Sequence, residues 1–338
     1  MHRFGLALTL LLAGLAACGD DGGTSSVPPD AGPQTPDGGL PVEAPTKVTQ
    51  VVNGEDGDFE SPLDAVASPD GVTFYFSAYS TADTVESDDS RATIYSVPSA
   101  GGEASVLYQG APLREPTGLL MSCDGKTLYI ADVGFKPGDE SEQDDIPPAP
   151  LYTLDLDTKA LAPLTATGLS EAASLALSKD CDTLFATGYT ADGAPAVFSL
   201  PPAGGTATVI TSGTPLSSPS GVFIDENDLL WVMDHQPLEG VDGKLFSITL
   251  EGDVQKVVGE LRLSEPAGVS LIAAGGIAVI PTRDENEASQ LITVEIATNV
   301  TTTIDMPTVV EPAGIRTARN APIMALVDAD GHAIYKVE

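Results

Sequence analysis

Past residue 45 the chain is written in short runs, small residues first and then a β-branched or aromatic stretch broken by polar positions. Six such runs line up: SPLDAVASPDGVTFYFSA from Ser61, EPTGLLMSCDGKTLYIAD from Glu115, EAASLALSKDCDTLFATG from Glu171, SPSGVFIDENDLLWVMD from Ser218, EPAGVSLIAAGGIAVIPT from Glu265 and EPAGIRTARNAPIMALVD from Glu311. Their second residues stand at 62, 116, 172, 219, 266 and 312, a period of 46 to 56 residues. Each unit reads as a small-residue strand, a turn and an apolar strand. Asp70-Gly71 and Asp124-Gly125 supply turns that need φ > 0. A second hairpin follows in most units, as in IYSVPSAGGEASVLY from Ile94, VFSLPPAGGTATVI from Val197 and LFSITLEGDVQKVV from Leu245. Four antiparallel strands per unit at this period predict the blades of a β-propeller. A solenoid would need a shorter repeat, and a sandwich would need none.

The sixth unit reaches only its third strand, Ile334-Tyr335-Lys336-Val337-Glu338, before the sequence stops. An orphan strand pattern, KVTQVV over Lys47–Val52, precedes the first unit. That strand is predicted to complete blade six and fasten the ring, pairing edges that would otherwise invite aggregation. The expected fold is all-β: a monomeric six-bladed β-propeller of four-stranded antiparallel blades over residues 46–338. The quoted segments resemble the six-bladed, TolB-like superfamily, which includes NHL-repeat and gluconolactonase/senescence-marker proteins. The resemblance implies fold and leaves function open, because propellers host unrelated activities.

Before the repeat the pattern changes twice. Met1-His2-Arg3 is followed by apolar residues from Phe4 to Ala17, shorter than the roughly 20 residues of a membrane span and suited to an export signal. The run ends Leu15-Ala16-Ala17-Cys18, which resembles a bacterial lipobox. That resemblance implies a signal peptide over 1–17, cleavage before Cys18, and acylation of Cys18 into a lipid bilayer. Gly19 follows the cysteine where an aspartate resembles an inner-membrane retention signal, so the outer membrane of a Gram-negative bacterium is the expected address. Residues 18–45 are Gly-, Pro-, Asp-, Ser- and Thr-rich and read as a flexible acidic tether.

Composition narrows the function. A hydrophobic fraction of 42% allows a sizeable core. With 15 basic against 49 acidic residues the net charge is −34, which excludes nucleic acid as a partner, since phosphate backbones need a basic face. In a propeller, the loops entering strand one and those joining strands two and three share one face. Glu115, Glu171, Glu265 and Glu311 occupy equivalent entry positions in four blades, with Ser61 and Ser218 in the other two. Asp83, Glu86, Asp88 and Asp89, then Asp139, Glu140, Glu142, Asp144 and Asp145, then Asp284, Glu285 and Glu287, fall in second-to-third-strand loops. Gathered round one channel mouth, these acids suit Ca2+ or another divalent cation, which takes oxygen ligands, or a basic protein or glycan. They serve equally as a solvated acidic surface. The main expectation is a binding or scaffold module acting through this face.

The alternative is a metal-dependent hydrolase or lactonase of the gluconolactonase type. That family's pattern implies a Glu from the first blade and Asn and Asp from later ones. Glu60 takes the first role, and Asp132, Asp234 or Asp328 the last. The Asn positions, however, are Leu63, Thr117, Ala173, Ser220, Ala267 and Ala313. His235, beside Asp234, and His332 are expected to look onto the acidic face. Asp328-Ala-Asp330-Gly331 opens like a calcium loop but runs out of residues. Neither HExxH nor GxSxG occurs, so no intact catalytic motif supports an enzyme. Cys123 and Cys181 fall in the first hairpin turns of blades two and three, neighbours on the opposite face. In an exported protein they are expected to form a disulfide, the alternative being two buried thiols.

Overall fold

A computed structural model of the chain describes residues 44–82, 91–134, 150–235, 243–264, 266–272 and 276–338. The repeat folds into six four-stranded antiparallel sheets, five of them running in chain order from the axis outward and the sixth completed by an N-terminal strand. The innermost strands are Phe59–Ala67, Gly118–Met121, Leu169–Leu177, Pro219–Ile224, Ser270–Ile272 and Pro312–Thr317. The ring closes as the sequence requires. Val48–Asn53 forms the outermost strand of blade six and pairs antiparallel with Ala333–Val337, Val48 opposite Val337. Lys47 Nζ adds an ion pair to Glu338 at 3.3 Å. A parallel ribbon of Ala166–Thr167 with Gly205–Thr206 supplements blade three. Among the described residues the only helix is the turn Gly54–Gly57, and no helix is long and apolar enough to cross a membrane.

Alternation of side chains across each pleat explains the packing. Every blade is apolar on both faces, and six buried clusters fill the six spaces between neighbouring blades. Between blades one and two, for example, Val66, Ile94, Leu119, Ile130 and Tyr152 meet. Polar atoms stitch the inner strands near the axis. Thr117 Oγ1 donates to Ala173 O at 3.1 Å and Ser220 Oγ to Ala267 O at 3.1 Å. Neighbouring strands come so close there that a Cβ on Gly268 would lie 2.4 Å from Ile315 N.

The first hairpin turns share a clasp. Ser68, Ser122 and Ser178 each donate Oγ–H to the aspartate two residues on, Asp70, Asp124 and Asp180, at 2.6, 2.7 and 2.6 Å. The next residue is left-handed in all three: Gly71 at φ 73°, Gly125 at 71° and Cys181 at 67°. Cys181 holds a conformation its siblings give to glycine, and it is bonded to Cys123 across a Cα–Cα distance of 6.3 Å, within the range of native disulfides.

Candidate functional site

A plug divides the central channel. Asp64, on the inner strand of blade one, is buried. Arg316, from blade six, donates Nε–H to Asp64 Oδ2 at 2.9 Å, Nη1–H to Leu175 O at 2.9 Å and Nη2–H to Ser174 Oγ at 2.6 Å. Leu119 N–H of blade two donates to Asp64 Oδ2 at 2.8 Å, and Val222 N–H of blade four to Ser174 Oγ at 3.3 Å. Five blades thus meet on one ion pair. Burial pushes the Asp64 carboxyl above its ordinary value, against the pull of Arg316 and the amide donors. Gly314 leaves the room: a Cβ there would stand 2.5 Å from Asp64 Oδ1. Only about 10 Å³ of free space remains beside the pair.

On one side of the plug opens a funnel of about 990 Å³. Loops entering the inner strands bring Glu115 and Glu311 to its wall, and the inner strand of blade three brings Glu171. The second strand of blade five brings Arg283, and the chain just after the second strands of blades four and six brings His235 and Asp330. Burial raises the carboxyls of Glu171 and Glu311 above their ordinary value. At Glu311 neighbouring Asp330 adds to the rise and Arg283 opposes it. Arg283 bridges Glu287 at 3.3 Å and Glu311 at 3.8 Å, with Arg262 on Glu287 at 3.2 Å. Asp284 turns inward on its own loop, accepting from Asn286 N and Ala288 N. Glu265 and the acids of 83–89 and 139–145 lie outside the described residues. Glu115, Glu171 and Glu311 therefore share one mouth. Yet among the described residues no three His, Cys, Asp or Glu side chains come together as metal ligands.

The alternative set also takes other duties. Glu60 is ion-paired to Arg91 and does not line the funnel. Asp132 is buried and accepts from Arg114 N at 2.9 Å, Glu115 N at 3.0 Å and Gly134 N at 2.9 Å. Asp234 accepts from Ser217 N at 2.8 Å and Ser218 N at 3.3 Å. Asp328 accepts from Val310 N, Glu311 N and Gly331 N at 2.9, 2.8 and 3.0 Å. These three aspartates hold equivalent positions at the end of strand two in blades two, four and six. Each carboxylate clamps the loop that enters its own blade. Burial raises Asp132 and Asp234 while their amide donors lower them. Blades one and three carry Ala78 and Gly188 at that position and extend the ladder instead, pairing Phe59 with Ser80 and Leu169 with Thr190. In blade five, Thr282 Oγ1 donates to Arg262 O at 2.8 Å. His235 faces the funnel. His332 does not line it; its Nδ1 accepts Ser61 N–H at 3.0 Å and ties blade six to blade one.

A carboxylate accepting three backbone N–H groups is worth more than a neutral bond, so Asp132→Ala should cost about 1.5–3 kcal/mol. The loss should be local. Hydrogen exchange at the amides of Arg114 and Glu115 should quicken while Ser217 and Ser218 stay protected; a uniform change across the ring would contradict the clamp.

The opposite side of the plug holds a second cavity of about 320 Å³, lined by the first hairpin turns and the lower ends of the inner strands. Sequence reasoning missed both this cavity and the plug.

No protein-family model matches the chain, and no curated protein matches it. Solved structures do. A structural genomics protein of unknown function from Bacteroides thetaiotaomicron aligns at a TM-score of 0.60 and 13% identity, over 86% of this chain and 75% of that one. A protein of unknown function from Dyadobacter fermentans aligns at 0.59 and 10% identity, over 87% and 98%. TolB from Acinetobacter baumannii aligns at 0.49 and 14% identity, over 83% and 64%. At these identities the likeness is one of fold, and the chain is a six-bladed β-propeller.

Proposed function

We propose that the chain is an envelope lipoprotein, anchored through acylated Cys18, whose propeller is a binding module that receives the basic side chains of a partner protein in its acidic funnel. The observation that carries this reading is the funnel itself. Glu115, Glu171, Glu311 and Asp330 line one concave mouth of about 990 Å³ in a chain of net charge −34. Low-dielectric walls focus such a field, and a cationic group entering the mouth relieves the repulsion between its acids. The rigid ring holds the wall in place, so little ordering accompanies binding.

A short labelled oligoarginine peptide, followed by fluorescence anisotropy, tests it. Binding should saturate, weaken with added salt, and fall roughly tenfold, about 1.4 kcal/mol, when Glu171→Gln and Glu311→Gln are combined. It should also weaken as the pH is lowered, and begin to do so at a higher pH than an ordinary glutamate would dictate, because burial raises both carboxyls above their ordinary value. An unchanged dissociation constant in the double variant would assign the attraction to the whole acidic surface and remove the funnel from the reading. Anchoring is tested apart from this: radiolabelled palmitate should enter the wild-type chain and not Cys18→Ala.

A further inference from the structure

The cavity on the far side of the plug differs in kind from the funnel. Its walls are apolar, with Leu120, Met121, Phe223 and Ile224 among them, and its charged groups are chiefly basic. Lys179, Arg316 and Arg319 all line it. The whole chain holds only 15 basic residues against 49 acids, so three of the fifteen at one cavity is a local reversal of the protein's charge.

The three cations are not equivalent. Arg316 forms the floor, and its guanidinium is spent on Asp64, Leu175 O and Ser174. Arg319 is half-buried and makes no hydrogen bond or ion pair with any described residue. Burial pulls it below its ordinary value. Lys179 stands exposed at the rim, also without a partner among the described residues. Of the two acids at the wall, Asp225 is committed: its carboxylate accepts from Trp231 Nε1 at 3.1 Å, Asn227 N at 2.8 Å and Leu229 N at 3.1 Å. Glu226 is exposed.

We propose that this cavity is a binding site for a small amphipathic carboxylate, its apolar body against Leu120, Met121, Phe223 and Ile224 and its carboxylate on the fork of Arg319. A half-buried guanidinium with no partner is costly, and a carboxylate matches its planar donors two at a time. At about 320 Å³ the cavity lies at the small end of ligand pockets, large enough for one ring or a short chain and too small for a folded partner. The apolar walls ask for apolar surface on the ligand. The overall charge of −34 disfavours polyanions such as phosphate esters, so a single negative charge on an apolar body fits best. The inference is independent of the acidic funnel, which lies across the Asp64–Arg316 plug.

The probe pair is 4-phenylbutanoate and its uncharged amide, 4-phenylbutanamide, titrated calorimetrically into the full chain. The acid should bind one to one and at least about tenfold more tightly than the amide, a gap of about 1.4 kcal/mol. Arg319→Gln should remove that preference, and Arg319→Lys should keep part of it because it retains the charge and loses the fork. Lys256→Gln, on the exposed outer strand of blade four, removes a distant positive charge and should change nothing. Since Arg319 has no internal partner among the described residues, its variants should melt like the wild type, which separates lost binding from lost fold. No saturable binding of the acid at millimolar concentration, equal binding of acid and amide, or an unchanged preference in Arg319→Gln would each overturn the proposal.

Discussion

Arg316→Met should be among the most damaging single substitutions in the chain, at a cost of about 3–5 kcal/mol. The guanidinium neutralises Asp64 in a place where water cannot, and its loss leaves a carboxylate buried with only amide donors for company. It also frees Leu175 O and Ser174 Oγ, so inner-strand contacts of blades one, three and six loosen together. The double variant Asp64→Asn with Arg316→Met should be clearly more stable than Arg316→Met alone, since most of the loss comes from the orphaned charge and little from the attraction itself. Urea unfolding of the wild type, both singles and the double gives the coupling directly. A double variant no better than the worse single would mean that packing at the axis, and not charge, holds the blades.

The disulfide comes second. Cys123→Ser should cost about 4 kcal/mol by the chain-entropy model, given the sequence separation of 58 between the two cysteines. The other end carries an asymmetry. Cys181 has φ 67°, where non-glycine residues give up roughly 1–2 kcal/mol. Cys181→Gly therefore loses the same cross-link yet regains the relaxed turn seen at Gly71 and Gly125. It should be more stable than Cys181→Ser by about 1 kcal/mol. Equal midpoints for the glycine and serine variants would show that the turn is not strained. Under reducing conditions the glycine variant should be at least as stable as the reduced wild type.

The architecture was legible because a propeller writes itself into the chain as a repeat. The six aligned segments became six blades, and KVTQVV found the missing edge of the sixth. The two cysteines lay in equivalent turns of successive blades, which adjacency in the ring converts into proximity. What stayed hidden depends on groups that meet only at the axis. Asp64 and Arg316 are 252 residues apart, and no local pattern joins them. A signal did exist: Asp64 stands where the other units have Gly118, Ser174, Gly221, Gly268 and Gly314. A charge in a column of glycine and serine is a misfit that a channel must neutralise.

At Asp132 and Asp234 the sequence hid something else. An aspartate at the end of strand two resembles a ligand in sequence, and only the fold shows that backbone amides already fill it. Glu115, Glu171 and Glu311 line the one mouth, while Glu265 lies outside the described residues. Arg283, which answers Glu311 there, carried no motif, because its importance comes from the neighbour that ring closure brings to it.

The closing strand has a consequence for how the chain comes into being. Lys47 and Glu338, paired at the seam, are 291 residues apart in sequence. Val48–Asn53 must wait, unpaired, until Ala333–Val337 has been made. Blades one to five can assemble in order as they emerge, but the seam cannot form until the final strand is complete. A polypeptide that stops before Ala333–Val337 presents two raw sheet edges at once. The seam thus works as a check on synthesis, leaving copies that end before Ala333–Val337 open to proteases and sealing only those that carry that strand.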